Sequence, residues 1–181
     1  MRLPLPIDGY EIRSFARGDG PALVRHASSR NVWRNLKDRF PHPYTDASAA
    51  WWLDQALHQN PETNFAVATA RELAGGIGVD LLADVHSGVG EIGYWLGERH
   101  WGRGVMSAAV AVFVPWAFAH LDLRRIQAGV FEGNEASARL LVKAGFTLEG
   151  RMRAAVVKDG RVLDQLLYAR LRDDEPTTAF A

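Results

Sequence analysis

The stretch VMSAAVAVFVPWAFAHL, residues 105 to 121, contains no Lys, Arg, Asp or Glu. It falls short of the roughly 20 apolar residues that span a bilayer, and it includes Ser107, Pro115 and His120. It therefore reads as a buried helix rather than a membrane segment, and a buried helix needs other elements packed over it. A chain of 181 residues with 48% hydrophobic composition can supply that cover within one compact domain. The expected domain runs over 1–172, and DDEPTTAFA closes the chain as a solvated tail over 173–181.

The remaining elements fall around that helix. YEIRSFA reads as a short strand, followed by helical material to about Leu36. RFPHPYTDASAAWWLDQAL is a Pro- and aromatic-rich loop ending in a helix, with Thr45 or Asp46 as N-cap. NFAVATA, LAGGIGVDLL and VGEIGYWL are β-rich runs, and RRIQAGV is a further strand. A helix begins at Asn134, where Ser137, Leu140, Leu141 and Ala144 make one inward stripe and Gly145 a C′ residue. Asp159-Gly160 is the pair preferred in a type I′ turn, which would set Lys158 opposite Arg161 and Val156 opposite Leu163. A meander followed by strand, helix, strand, helix and hairpin is a mixed α/β domain built on one sheet.

Bulk properties remove several function classes. Lys plus Arg and Asp plus Glu each total 21, so the net charge is +0 and no global positive field points to nucleic acid. There is no cysteine, which excludes disulfides, thiolate metal sites and a cysteine nucleophile. The opening MRLPLPIDGY breaks the apolar core a signal peptide needs, and a cytoplasmic location is expected. His26, His42, His58, His86, His100 and His120 are dispersed without an H-x-x-x-H pair, so no metal is expected. No G-x-S-x-G elbow supports a serine hydrolase.

RHWGRG, residues 99 to 104, lies between the strand-like EIGYWL and the apolar helix. A glycine-rich loop there can aim unpaired N–H groups and the positive end of a helix dipole at one anion. Gly102 and Gly104 would let the main chain approach phosphate oxygens, and Arg99 and Arg103 would add charge at the rim. A plain turn explains the same glycines. No Walker loop is present, and a Rossmann fingerprint finds Ser107 where its third glycine belongs.

RHWGRG also fits Q/R-x-x-G-x-G/A, the coenzyme A pyrophosphate loop of the GNAT superfamily of N-acetyltransferases. Taken in order, EIGYWLGERHWGRGVMSAAV, LRRIQAGVFEGNEASARLLVKAGF and LYARL resemble its RimJ/RimL branch, with LKDRFPHPYT a further shared stretch. The resemblance covers about Tyr10 to Leu171. It implies a GNAT fold with a mostly antiparallel central sheet, in which the EIGYWL strand and the strand from near Arg124 splay apart. The pantetheine arm would enter that gap, pairing with the backbone around Trp95 and Leu96. The pyrophosphate would lie on N–H groups from about Trp101 to Val105, with Gly102, Arg103 and Gly104 between them. Acetyl-coenzyme A is then the co-substrate, an amine the acceptor, and the protein a monomer or homodimer.

Acetyl transfer from a thioester to an amine needs a neutral amine and a proton for the departing thiolate. Asn134 is a helix N-cap, and in the family the matching Asn also binds coenzyme A. Ser137 sits on an otherwise apolar stripe, either bonded back to a helix carbonyl or aimed into a site. Many family members carry a tyrosine acid four residues on, where this chain has Leu141, and RimL-like members carry a serine matching Ser137. That resemblance makes Ser137 the expected general acid. Their glutamate base is matched by Val156, which cannot take a proton. Glu91, sharing a strand face with Gly93 and Trp95, is the expected substitute acting through a water, or else an ordinary strand carboxylate. Phe40, His42 and Tyr44 are expected to wall the acceptor pocket, with Trp51 and Trp52 in the core. Direct transfer to an α-amine or small amine is the expected reaction. A weakly catalytic acyl-coenzyme A-binding module is the alternative, and a nucleotide-dependent oxidoreductase stands further off.

Overall fold

The computed structural model describes residues 1–174, so most of the expected tail over 173–181 lies outside the described residues. In chain order the elements are β1 (Arg2–Pro4), β2 (Tyr10–Arg13), α1 (Gly20–Ala27), α2 (Arg30–Trp33), α3 (Asp46–His58), β3 (Asn64–Thr69), β4 (Leu73–Leu81), β5 (Val89–Leu96), α4 (Val105–His120), β6 (Arg125–Phe131), α5 (Glu135–Lys143), β7 (Thr147–Lys158) and β8 (Arg161–Leu171). The strands form one eight-stranded sheet in the order β1-β2-β3-β4-β5-β6-β8-β7. The β1–β2, β2–β3, β3–β4, β6–β8 and β7–β8 ladders are antiparallel and β5–β6 is parallel, giving the mixed α/β, mostly antiparallel architecture read from the sequence. Two compact units make up the chain: Met1–Gly78 with Tyr94–Val112, and Val79–Gly93 with the described residues from Phe113 onward.

In the first unit, β2 pairs with β3 through Tyr10↔Thr69 to Arg13↔Ala66, and β1 adds at its free edge through Arg2↔Arg13. No local pattern marks that edge strand, which is three residues long and ends on a proline, a residue suited to a sheet edge. α3 opens on Thr45, whose hydroxyl accepts from the Ser48 N–H in a capping box. Ala49, Leu53 and Ala56 form its buried face and join Phe15, Leu23, Tyr44 and Leu73 in one core cluster. Trp51 is a correction: it is 62% exposed. Consecutive helical residues point about 100° apart, so of Trp51 and Trp52 only Trp52 packs against the core, edge-on to Phe15.

In the second unit, the parallel ladder is three pairs long, from Val89↔Arg125 to Glu91↔Gln127, although β6 continues to Phe131. β8 pairs with both β6 and β7, and the hairpin at Asp159-Gly160 has the expected register, with Lys158↔Arg161 and Val156↔Leu163. α5 ends as anticipated: Gly145 takes φ +82°, its N–H bonds to Val142 O, and the Phe146 N–H bonds to Leu141 O. In α4, Val110, Phe113, Val114 and Ala117 are buried, while Pro115, Ala119 and His120 reach the surface, so the helix is covered on most of its circumference rather than all of it. Among the described residues no helix is long and apolar enough to cross a membrane.

Candidate functional site

β5 leaves the sheet at Leu96 and turns through a 3₁₀ segment, Glu98–His100, into the Trp101–Gly104 loop and α4. All four loop residues are exposed, and Val105 is buried. Gly102 and Gly104 have φ of +72° and +74°. A Cβ on Gly102 would meet nothing within 4 Å, and one on Gly104 only the end of Ile7 at 4.0 Å. Backbone conformation, not crowding, therefore calls for glycine at both positions, and the loop face stays open. The first bond of α4 runs from the Ala108 N–H to Gly104 O at 2.9 Å. The N–H groups of Val105, Met106 and Ser107 thus lack intrahelical acceptors, which makes this helix start suited to an anion.

Arg99 and Arg103 are both exposed, and Arg99 is shared: its Nη1 lies 3.8 Å from Glu72 Oε1. The Trp101 indole donates to Leu96 O at 2.6 Å. That bond occupies a carbonyl expected to face a pantetheine arm, and it ties the loop back to the end of β5.

Behind the loop lies a group that spacing alone did not reveal. His26 on α1, Glu72 in the β3–β4 turn and His100 in the 3₁₀ segment come together, with one ligand-type atom from each within 4.8 Å of the others. His26 and His100 are 4% and 7% exposed. Burial lowers the affinity of both imidazoles for a proton, and each is disfavoured further by nearby cations. Burial pushes the Glu72 carboxyl up, but its bond to His26 and the Arg25 guanidinium outweigh this and hold it below the ordinary glutamate value. Arg25 donates to Glu72 Oε2.

The acceptor candidates divide. Phe40 packs edge-on against Trp95, ring centroids 5.5 Å apart, and lies 5.1 Å from the Tyr44 ring. His42 is exposed and stacks on Trp33 at 5.3 Å. Tyr44 is 5% exposed within the core cluster, and burial pushes its phenol up to about 12. It lies in the core rather than offering a polar surface. Trp95 in turn lies over the glycines of β4, because a Cβ on Gly76 would sit 2.8 Å from its Nε1.

The catalytic candidates belong to the second unit. Glu91 is half-buried on β5 opposite Gln127, and Gly93 beyond it is exposed. Asn134 caps α5, its side-chain oxygen accepting from the Ser137 N–H at 3.3 Å. Ser137 is half-buried at the third helical position, so its main-chain donor is used by the cap and its hydroxyl is a separate group. Val156 is half-buried opposite Leu163, directly after an irregularity in β7 where Ala154 takes φ +52°. The nearby Asp164 carboxylate accepts from the Ala154 N–H at 2.8 Å and pairs with Arg151 at 2.5 Å, which hold it below the ordinary aspartate value.

A family model described as acetyltransferase (GNAT) domain matches residues 10–147. An uncharacterized N-acetyltransferase, p20, from Bacillus licheniformis is 33% identical over 167 residues, 89% of this chain and 92% of that protein. The ribosomal-protein-serine acetyltransferase of Escherichia coli (strain K12) is 31% identical over 120 residues, 66% of each chain. A solved structure of RimL, described as a ribosomal L7/L12 alpha-N-protein acetyltransferase in complex with coenzyme A, superposes with a TM-score of 0.82. Its identity is 22%, over 97% of this chain and 100% of that one, and it bears on the fold.

Proposed function

Because the chain belongs to the GNAT family of acetyltransferases, we propose that it moves the acetyl group of acetyl-coenzyme A directly onto a primary amine in a ternary complex, with a protein N-terminal α-amine as the preferred acceptor. The observation that carries the donor half is the exposed Trp101–Gly104 loop, with Gly102 and Gly104 at positive φ, opening straight into the N-terminus of α4. Its N–H groups hold the pyrophosphate, Arg103 adds charge, and the Trp95 and Asn134 positions contact the rest of the coenzyme. Residues 1–172 act as one acetyltransferase domain.

In the reaction the neutral amine attacks the thioester carbonyl, the carbon–nitrogen bond forms and the carbon–sulfur bond breaks. The proton lost by the nitrogen passes through a water to Glu91, the thiolate takes its proton from Ser137, and exchange with solvent returns a proton to Ser137 and removes one from Glu91. Val156 leaves no carboxylate at the place where RimL-like members carry one. An acceptor that is already partly neutral suits such a site. An α-amine, with a pKa of about 7.7 to 8.0, has a useful neutral fraction at pH 7, whereas lysine near ~10.4 has roughly one part in a few thousand. The reading toward a protein N-terminus draws support from the names of the Escherichia coli relative and the RimL structure, both enzymes of ribosomal proteins.

A panel of amines, read by release of the coenzyme A thiol at pH 7, tests this. The expected result is turnover with peptides bearing a free N-terminus and little with N-blocked peptides bearing lysine. Efficient lysine acetylation at pH 7 overturns the acceptor. Tight acetyl-coenzyme A binding without turnover on any amine favours the weakly catalytic binding module that Val156 also allows.

A further inference from the structure

We propose that His26, Glu72 and His100 form a binding site for one divalent transition-metal ion of the zinc class, seated behind the Trp101–Gly104 loop. Three distant parts of the first unit supply the ligands, and their ligand atoms already lie within 4.8 Å of one another.

The atom that points to a ligand is His100 Nε2. His100 is 7% exposed, its Nδ1 lies 2.8 Å from the Tyr10 hydroxyl, and its Nε2 is buried without a hydrogen-bond partner. Buried side-chain nitrogens nearly always find a partner, and a lone pair kept on Nε2 while the other nitrogen is engaged is the usual arrangement of a metal-binding imidazole. The second ring, His26, is 4% exposed and stands 5.2 Å from the first, centroid to centroid. Its Nε2 is 3.4 Å from Glu72 Oε1. That is long for a hydrogen bond but close to the separation of two ligands on a tetrahedral ion, roughly 3.3–3.4 Å for metal–ligand bonds of about 2.0–2.1 Å. Arg25 holds Oε2 and so leaves Oε1 for the ion. The widest gap closes by a little over ~1 Å of side-chain rotation.

Donor chemistry selects the ion. Two neutral imidazoles and one carboxylate suit zinc, cobalt, nickel or copper rather than magnesium or calcium, which prefer all-oxygen sets. Arg99, 3.8 Å from Glu72 Oε1 and 58% exposed, is the group that an ion would displace toward solvent. The proposal does not depend on the acetyltransferase reading, since neither acetyl transfer nor coenzyme binding enters it.

The test is titration of the chelator-treated, full-length protein with Co2+, followed by its visible d–d absorption, and with Zn2+ by calorimetry. One saturable equivalent with an intense tetrahedral-type Co2+ band is expected. His100→Ala and Glu72→Gln should each weaken binding at least tenfold, while His58→Ala, at the exposed end of α3, should leave it unchanged. Circular dichroism establishes that each variant is folded. If His100→Ala does not fold, Glu72→Gln, altering a side chain 27% exposed, carries the comparison. Absence of saturable binding to the folded wild type, or wild-type affinity in the folded cluster variants, overturns the site.

Discussion

Ser137 and Asn134 show how a single helix start separates structure from chemistry. The cap uses the Ser137 main-chain N–H, so Ser137→Ala keeps the cap and removes only the hydroxyl. If that hydroxyl protonates the thiolate, kcat falls by about 100-fold while acetyl-coenzyme A affinity, measured by calorimetry, stays unchanged. Asn134→Ala should lose about 1 kcal/mol of stability through the missing cap and weaken coenzyme binding as well. Full turnover in Ser137→Ala would remove it from the mechanism. At Gly104 the expected cost is purely conformational, because a Cβ there has 4.0 Å of room but φ is +74°. Gly104→Ala should lose roughly 1–2 kcal/mol in a denaturation midpoint and weaken coenzyme affinity. A variant with wild-type stability would be incompatible with that backbone. The glycines were legible as a spacing, but their positive φ was not.

At the level of elements, β4 and β5 carry a contrast that tests the packing. A Cβ on Gly75 would lie 2.3 Å from Trp95 O, a backbone atom that cannot rotate away, whereas one on Gly93 meets nothing within 4 Å. Gly75→Ala should therefore destabilise by about 1–3 kcal/mol, and Gly93→Ala should stay within about 0.5 kcal/mol, both read from urea midpoints. Equal midpoints would show that β4 yields at no cost. The elements themselves were readable where local rules act alone. The α5 cap and glycine stop, and the register around Asp159-Gly160, need only neighbouring residues. Nothing in Arg2–Pro4 prefers a strand, and β1 forms because β2 offers an unpaired edge. Trp51 and Trp52 have the same hydrophobicity, and only the angle between successive helical side chains decides which one is buried.

For the molecule as a whole, membership of the acetyltransferase family predicts ligand-linked stability. At free acetyl-coenzyme A about 100 times its Kd, the gain is about 2.7 kcal/mol, or roughly 5–10 °C in Tm for a chain of this size. A dinucleotide such as NAD should give no shift, and a shift with NAD alone would count against the donor assigned here. By itself, the sequence determined what is short-range: the α/β order of elements, the glycine-rich loop before α4, the capped helix at Asn134, and the register of the Asp159-Gly160 hairpin. These depend on residues a few positions apart, whose spacing sets their geometry. Only the tertiary structure decided that Tyr44 supports the core and that Phe40 meets Trp95. It alone brought His26, Glu72 and His100 together. Such meetings join residues many turns and strands apart, and side-chain packing, which no local spacing encodes, selects them.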